Sequence, residues 1–405
     1  MAKSLKVMIL GLLLTVLLLV ALTRHVPGFQ ISSFPVLFNT LMGTGSPVEL
    51  ETITDLLVTP KGFELTLFAD NIPNARFLKT TPTGQMLVSS PKTGTVYLLA
   101  DTNGTGKADE HIPLIGGLNR PHGLDIHHDG ETSWLYIAET NAVGRIAIDW
   151  STASTEGDYQ RLITNLPNTG GHWTRTIQFG IDGWLYLTVG SSCNVCEEAD
   201  PRRAAMMRYR PDGSGEQIYA TGLRNSVGFD WAPWDNSLYA TDNGRDMLGD
   251  DFPPCELNRI KAGGFYGWPY INGFGDLDPD LGQNKPAKAK ATLLATSISP
   301  VFGFRAHNAP LGMSFLNHPD RPEKYRRTAL VALHGSWNRT EPDGYKVVAL
   351  HWDQQGKITS EDFVSGFLRP DNDVTGRPVD IEEGMDGSIF ISDDYAGAIY
   401  RVRYN

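Results

Sequence analysis

A strand, a turn often carrying Asp-Gly or Asp-Asn, and a second strand with a Leu-Tyr-like start recur six times along this 405-residue chain. The units read RFLKTTPTGQMLVSSPKTGTVYLL, GLDIHHDGETSWLYIAETNAVGRIAI, TIQFGIDGWLYLTVGSS, VGFDWAPWDNSLYATDNG, GMSFLNHPDRPEKYRRTALVALHG and PVDIEEGMDGSIFISDDYAGAIYRV. The second-strand anchors Leu87, Leu135, Leu185, Leu238, Leu330 and Ile389 fall roughly 50 residues apart, with an insertion around 265–295 in the longest gap. Such a repeat with period-2 alternation predicts an all-β, six-bladed β-propeller with four strands per blade. A β-sandwich would not repeat its turn chemistry six times. The 42 glycines and 25 prolines suit a chain rich in tight turns, and helical periodicity is hard to find past residue 60.

The first 23 residues are different in kind. Lys3 and Lys6 precede an uncharged apolar run from Val7 to Leu22, which reads as a signal peptide or an uncleaved membrane anchor helix. Residues 24–60 read as a tether and first ordered segment, and 61–405 as the propeller. The chain is therefore expected to be exported and periplasmic, tethered to the inner membrane by its N-terminal segment. A net charge of −11 with no Lys/Arg-rich run argues against a nucleic-acid partner. Three cysteines fit an exported protein. Cys193 and Cys196 form a C-x-x-C that reads as a small loop-stapling disulfide, because zinc would want a second pair and no helix follows for thioredoxin-type chemistry.

The repeat places the polar residues. The loop entering strand one and the loop leaving strand two of each blade lie on the same face. Arg76, Arg120 with His122, His172, Arg224 with Asn225, His307 and Arg377 enter first strands. Ser191, the segment Asn243–Asp246 and the segment His334–Arg339 leave second strands. All are expected at one mouth of the central channel. Arginines gathered there would repel one another unless a small, multiply anionic ligand sat among them. On that argument, replacing Arg224 or Arg377 by Leu would leave the apoprotein as stable or slightly stabler.

The stretches GGHWTRTIQFGIDGWLYLTVGSSCNVCEE, GLRNSVGFDWAP, TDNGRDMLGDDFPPCELNRI, GGFYGWPY, HGSWNRTEPDGYKVV and GRPVDI resemble the soluble glucose/sorbosone dehydrogenases, most closely the sorbosone dehydrogenase-like branch. These are propellers that use pyrroloquinoline quinone (PQQ) and calcium. The resemblance covers roughly residues 60–405. It implies oxidation of an aldose or sugar aldehyde by hydride transfer to PQQ, with His172 as general base and Arg224 and Asn225 on the quinone. It further implies that the turn Asn243-Gly244-Arg245 holds calcium through the backbone carbonyls of Gly244 and Arg245. His307, Asn338, Arg339 and Arg377 would lie near the cofactor's far side and its carboxylates. Two departures stand out: Ser191 occupies the position of an aspartate that orients the base in the glucose oxidisers, and Val379 that of a second arginine. A lipid quinone or a cytochrome would be the electron acceptor.

Other signals are weaker. Asp101, Asn103, Thr105 and Asp109 in DTNGTGKAD have the alternation of a calcium loop, but Ile112 stands where a bidentate Glu is needed, and an Asn-Gly turn is the simpler reading. Trp134, Trp184, Trp231 and Trp234 are expected between blades, whereas Trp173 and Trp337 flank the mouth. Two other functions remain open to such a propeller: a calcium-dependent lactonase-like hydrolase, and a non-catalytic module binding a glycan or protein.

Overall fold

The computed structural model describes residues 50–404. The expected signal or anchor helix lies outside these residues, and among the described helices none is long and apolar enough to cross a membrane. Every second-strand anchor falls in the second strand of its own sheet, four antiparallel strands in each blade with a fifth, parallel strand added to blade 3. Blade 1 runs Leu78–Thr80, Met86–Ser90, Thr95–Ala100 and Glu110–Ile115, and blade 2 Leu124–Asp129, Thr132–Glu139, Ala142–Asp149 and Ser154–Ile163. Blade 3 comprises Arg175–Phe179, Leu185–Val189, Ala205–Tyr209 and Gln217–Thr221, and blade 4 Phe229–Trp231, Leu238–Asp242, Cys255–Ile260 and Phe302–Phe304. Blade 5 comprises Pro310–Phe315, Thr328–Leu333, Lys346–Trp352 and Ile358–Val364. Blade 6 takes three strands from the C-terminus (Pro378–Glu383, Ile389–Asp393, Ala398–Tyr404) and its outer strand, Phe63–Ala69, from the beginning of the propeller. Phe63 pairs with Tyr404 and Leu67 with Tyr400, so the ring closes through backbone hydrogen bonds between its two ends.

The expected alternation shows in the outer strand Phe63–Ala69 and is lost on the inner strands. Ser154–Ile163 is mostly exposed, whereas Met86–Ser90, Leu185–Val189, Leu238–Asp242, Thr328–Leu333 and Ile389–Asp393 are buried at every position. A second strand lies between two neighbouring blades, so both its faces are covered and it reads as a continuous apolar run. Six apolar clusters accordingly fill the six blade–blade interfaces. Trp134, Trp184, Trp231 and Trp234 pack against these clusters, as their place in the repeat implies.

Polar side chains stitch the first strands around the channel. The carboxylate of Asp125 accepts the Phe179 N–H, Asp230 that of Phe315, and Asp380 that of Leu78. Each carboxylate thus ties an even-numbered blade to the next one. The insertion contributes a strand, Gly264–Phe265, beside blade 3, a hairpin (Ile271–Asn272 with Asp276–Leu277) and a helix, Ala287–Thr296. That helix buries no residue, which is why no helical apolar stripe marks it in the sequence.

Candidate active site

The loops between second and third strands and those entering first strands meet at one end of the channel. The floor of this mouth is a small apolar cluster, Phe77, Val227, Leu311 and Val379, drawn from blades 1, 4, 5 and 6. Val379 is fully buried there, so the position of the family's second arginine belongs to the floor.

His172 stands on the rim of blade 3. Its Nδ1 lies 2.9 Å from both the carbonyl oxygen and the Oγ of Ser191. A carbonyl can only accept, so Nδ1 carries the proton and Nε2 of the neutral ring keeps its lone pair. The Ser191 hydroxyl donates to the Cys193 carbonyl at 2.8 Å, which leaves its oxygen free to accept from the imidazole. Burial, and next the charge of Arg224, push the His172 pKa down to about 3. Beneath the ring a Cβ on Gly190 would come within 2.7 Å of the His172 Cβ and 2.4 Å of the Asn225 Oδ1. Only glycine lets these two side chains close over the end of the strand.

Asp242, at the end of blade 4's second strand, receives the N–H groups of both Arg224 (2.8 Å) and Asn225 (2.6 Å). The Arg224 guanidinium is buried and donates to the carbonyls of Asn194 (3.0 Å), Asn243 (3.1 Å) and Gly244 (3.0 Å) and to Asn194 Oδ1 (2.9 Å). Asp246 lies 3.6 Å away. This overturns the expectation that Arg224 would be relieved by removal: loss of the guanidinium strands buried acceptors. Asn225 Oδ1 is buried against Gly190 without a hydrogen-bond partner.

The remaining expected residues divide into two groups. His307 joins the mouth loops through Asp246 (Nδ1 to Oδ1, 3.4 Å) and donates from Nε2 to the Gly249 carbonyl at 2.8 Å. Arg377 donates to the carbonyls of His334 (3.0 Å) and Gly335 (2.9 Å) and borders a cavity of about 590 Å3 with His334, Asp394, Lys92 and Tyr395. Arg76 pairs with Asp394 at 2.7 Å, and Trp173 stacks under Arg120 at 4.0 Å and meets the His122 ring edge-on. Arg245, by contrast, turns its side chain away into Asp278 (2.7 Å) and Asp280 (2.8 Å), so only its backbone belongs to the turn. Asn338 is buried, and Arg339 bonds to the carbonyls of Asp250 and Ala306 and to Asp251, tying blade 5 to the 250–251 loop. Arg76, Arg224 and Arg377 are therefore already met by carboxylates or carbonyls, whereas Arg120 lies over the Trp173 ring.

In the 101–109 loop, Asp101 accepts the N–H groups of Thr105 and Gly106, Asn103 that of Thr105, and Asp109 the N–H and hydroxyl of Thr102. That is the bonding of a turn. Cys193 and Cys196 are joined, as the C-x-x-C reading expects, and Cys255 is free and buried. Asn194, Asp242 and Asp394 were not among the residues the sequence singled out. Asp242 and Asp393 close second strands at matched repeat positions, and both accept N–H groups of the incoming loop, so an alignment of the six units would have found them.

A six-bladed ring, an oriented histidine and Arg224 beside Asn225 above an apolar floor are the features expected from the resemblance to the glucose/sorbosone dehydrogenases. The chain belongs to the TrAA12-like family, which matches residues 57–256 and 282–405. It is 31% identical over 392 residues to an uncharacterised protein of Borreliella burgdorferi, covering 93% of this chain and 98% of that one. It is 26% identical to the pyrroloquinoline quinone-dependent pyranose dehydrogenase of Coprinopsis cinerea, over 84% of this chain and 54% of the relative. To the aldose sugar dehydrogenase YliI of Escherichia coli it is 25% identical, over 64% of this chain and 67% of the relative. In fold it is similar to the calcium structure of the Trichoderma reesei carbohydrate-active enzyme of family AA12 (TM-score 0.72, 24% identity, 86% of this chain and 97% of that one).

Proposed function

We propose that this protein is a PQQ-dependent oxidoreductase that oxidises an aldose or sugar aldehyde, with His172 as the general base. The observation that carries this reading is the contact of His172 Nδ1 with the Ser191 carbonyl, which leaves the Nε2 lone pair in the mouth beside Arg224 and Asn225. The apolar floor of Phe77, Val227, Leu311 and Val379 fits the face of a planar cofactor. Bound PQQ supplies an electrophilic quinone carbon that takes the substrate's hydride. The chain's own part is proton handling and charge. Ser191 orients the ring, Nε2 would accept the hydroxyl proton, and the Arg224 guanidinium beside it would offset negative charge on a bound quinone. Ser191 does with a carbonyl what the aspartate of the glucose oxidisers does with a carboxylate, leaving the imidazolium less stabilised; this favours a more readily oxidised substrate such as a hydrated sugar aldehyde.

The same reading would put calcium at the 243–246 turn, on the backbone carbonyls of Gly244, which also accepts from Arg224 at 3.0 Å, and of Arg245. It also puts the protein outside the cytoplasm, held by its N-terminal segment and passing electrons to a lipid quinone or a cytochrome. The Cys193–Cys196 disulfide supports an oxidising compartment. The test is reconstitution of purified apoprotein with PQQ and calcium, followed by dye reduction with a panel of sugars. His172→Gln should keep PQQ binding and lower the rate by roughly 10²–10⁴-fold. Near-normal turnover in that variant would remove His172 from the role, and absence of PQQ binding to the wild type would remove the cofactor.

A further inference from the structure

The guanidinium that faces the mouth is held by an unexpected residue. Of the four hydrogen-bond acceptors of Arg224, two belong to Asn194: its carbonyl (3.0 Å, from Nε) and its Oδ1 (2.9 Å, from Nη2). The Asn194 amide also bridges to the neighbouring blade. Its Oδ1 accepts the Asp246 N–H at 2.8 Å, and its Nδ2 donates to the Asp246 carbonyl at 3.0 Å. The residue before it accepts the Ser191 hydroxyl that in turn accepts from His172. Residues 193–194 therefore hold the surroundings of both the histidine and the arginine.

Nothing regular holds those two residues in place. They lie in the irregular loop between the second and third strands of blade 3, outside any strand ladder. The loop is closed by the Cys193–Cys196 disulfide, a ring with Asn194 and Val195 inside it, together with the Ser192 N–H and hydroxyl bonds to the Glu198 carboxylate (2.6 and 2.7 Å). Trp268 Nε1 also donates to the Asn194 carbonyl at 3.4 Å. A crosslink over so short a span restricts the same residues whose acceptors converge on Arg224.

We propose that Asn194 is a positioning residue of the mouth and that the Cys193–Cys196 disulfide is a redox-sensitive clamp holding it there. The proposal rests on the reading of the mouth as a quinone site only for what Arg224 faces; the clamp itself is a property of the apoprotein. A small dithiol opens it: one thiolate attacks a sulfur, the S–S bond breaks, and the second thiol of the reagent resolves the mixed disulfide. Two electrons and two protons pass to the protein as two cysteine thiols, and the reagent leaves as its own disulfide. With the ring open, Asn194 samples more positions, and Arg224 keeps two carbonyls and the Asp246 carboxylate as partners. Its guanidinium then turns toward Asp246, away from the orientation the closed loop imposes.

The experiment uses the full chain in three forms: oxidised, reduced by dithiothreitol, and reduced then reoxidised. Asn194→Ala, Asn194→Asp and the double variant Cys193→Ser/Cys196→Ser accompany it. Two readouts are taken, PQQ affinity by fluorescence titration and amide exchange at Asp246 in the apoprotein. Reduction, Asn194→Ala and the double variant should each weaken PQQ binding about tenfold or more and lower protection of the Asp246 amide by a similar factor. Reoxidation should restore most of the affinity, and Asn194→Asp, which keeps the Oδ acceptor for Arg224 but loses the donor to the Asp246 carbonyl, should fall between wild type and Asn194→Ala. Unchanged protection and affinity on reduction and in Asn194→Ala would overturn the proposal, whatever becomes of the cysteine variant. If the oxidised wild type binds no PQQ but Asp246 protection still falls on reduction, the clamp stands and the cofactor assignment fails.

Discussion

His172 owes its chemistry to two neighbours of opposite effect. The Ser191 carbonyl orients the ring, and the Arg224 charge, added to burial, makes a proton on that ring unwelcome. With a pKa near 3 in the folded chain against about 6.5 unfolded, the unfolded state takes the proton first as the pH falls. Stability from this group is therefore present above about pH 6.5 and is lost as the pH falls from there toward 3. In the apoprotein, melting of the wild type should decline relative to His172→Gln over that window, with the two curves running parallel above pH 7. A wild type that tracks the variant down to pH 4 would show that the ring is not buried neutral. Addition of PQQ, an anion, should move the His172 titration upward in an NMR titration, since it offsets Arg224.

At the level of the strand, the repeat assigns one task to one position. In blades 2, 4 and 6 the last residue of the second strand accepts N–H groups of the loop that enters the first strand: Glu139 that of Asn119, Asp242 those of Arg224 and Asn225, and Asp393 that of Arg377. In blade 3 the corresponding segment supplies Ser191, whose carbonyl and hydroxyl accept from the histidine side chain. The strand end that elsewhere secures backbone here secures a catalytic candidate. Burial pushes the Asp242 carboxyl up, and the paired strand carries Glu256 opposite it, likewise raised by burial and by Asp242. Asp242→Ala would leave two buried N–H groups without acceptors, at about 1–3 kcal/mol each. We expect a melting temperature several degrees lower and a larger loss of PQQ affinity than Asp242→Asn, which keeps an acceptor; equal behaviour of the two variants would refute this role. The strand ends were legible as polar positions in the sequence, yet their partners were not, because a hydrogen bond from the entering loop to the end of the same blade's second strand joins residues 16–20 apart that periodicity does not pair.

Across the whole molecule, the channel below the apolar floor gathers Asp125, Asp230, Asp380 and Glu382 around one cation, Lys79, which pairs with Asp125 at 3.0 Å. Burial lifts Asp380 to about 8 and Asp230 to about 6. Between the ordinary carboxylate range near 4 and pH 8, folded Asp380 holds a proton that the unfolded chain has released, so stability falls as the pH rises through that window. Asp380→Asn is neutral throughout and keeps an acceptor for Leu78. Its melting temperature should gain on the wild type steadily from pH 5 to pH 8.5; a constant difference would mean that Asp380 is ionised in the fold. By itself the sequence determined the six-bladed ring, the anchors of its second strands, the face on which His172, Arg224, Asn225 and Arg377 lie, and the Cys193–Cys196 crosslink. These follow from period, turn chemistry and spacing, which are local. Only the tertiary structure decided that Arg224 is saturated by carbonyls, that Arg245 turns to Asp278 and Asp280, that Val379 forms the floor, and that Asn194 binds two blades together. Those outcomes depend on which loops of different blades meet at the axis and on what remains to satisfy each buried polar group there, and closure of the ring sets both.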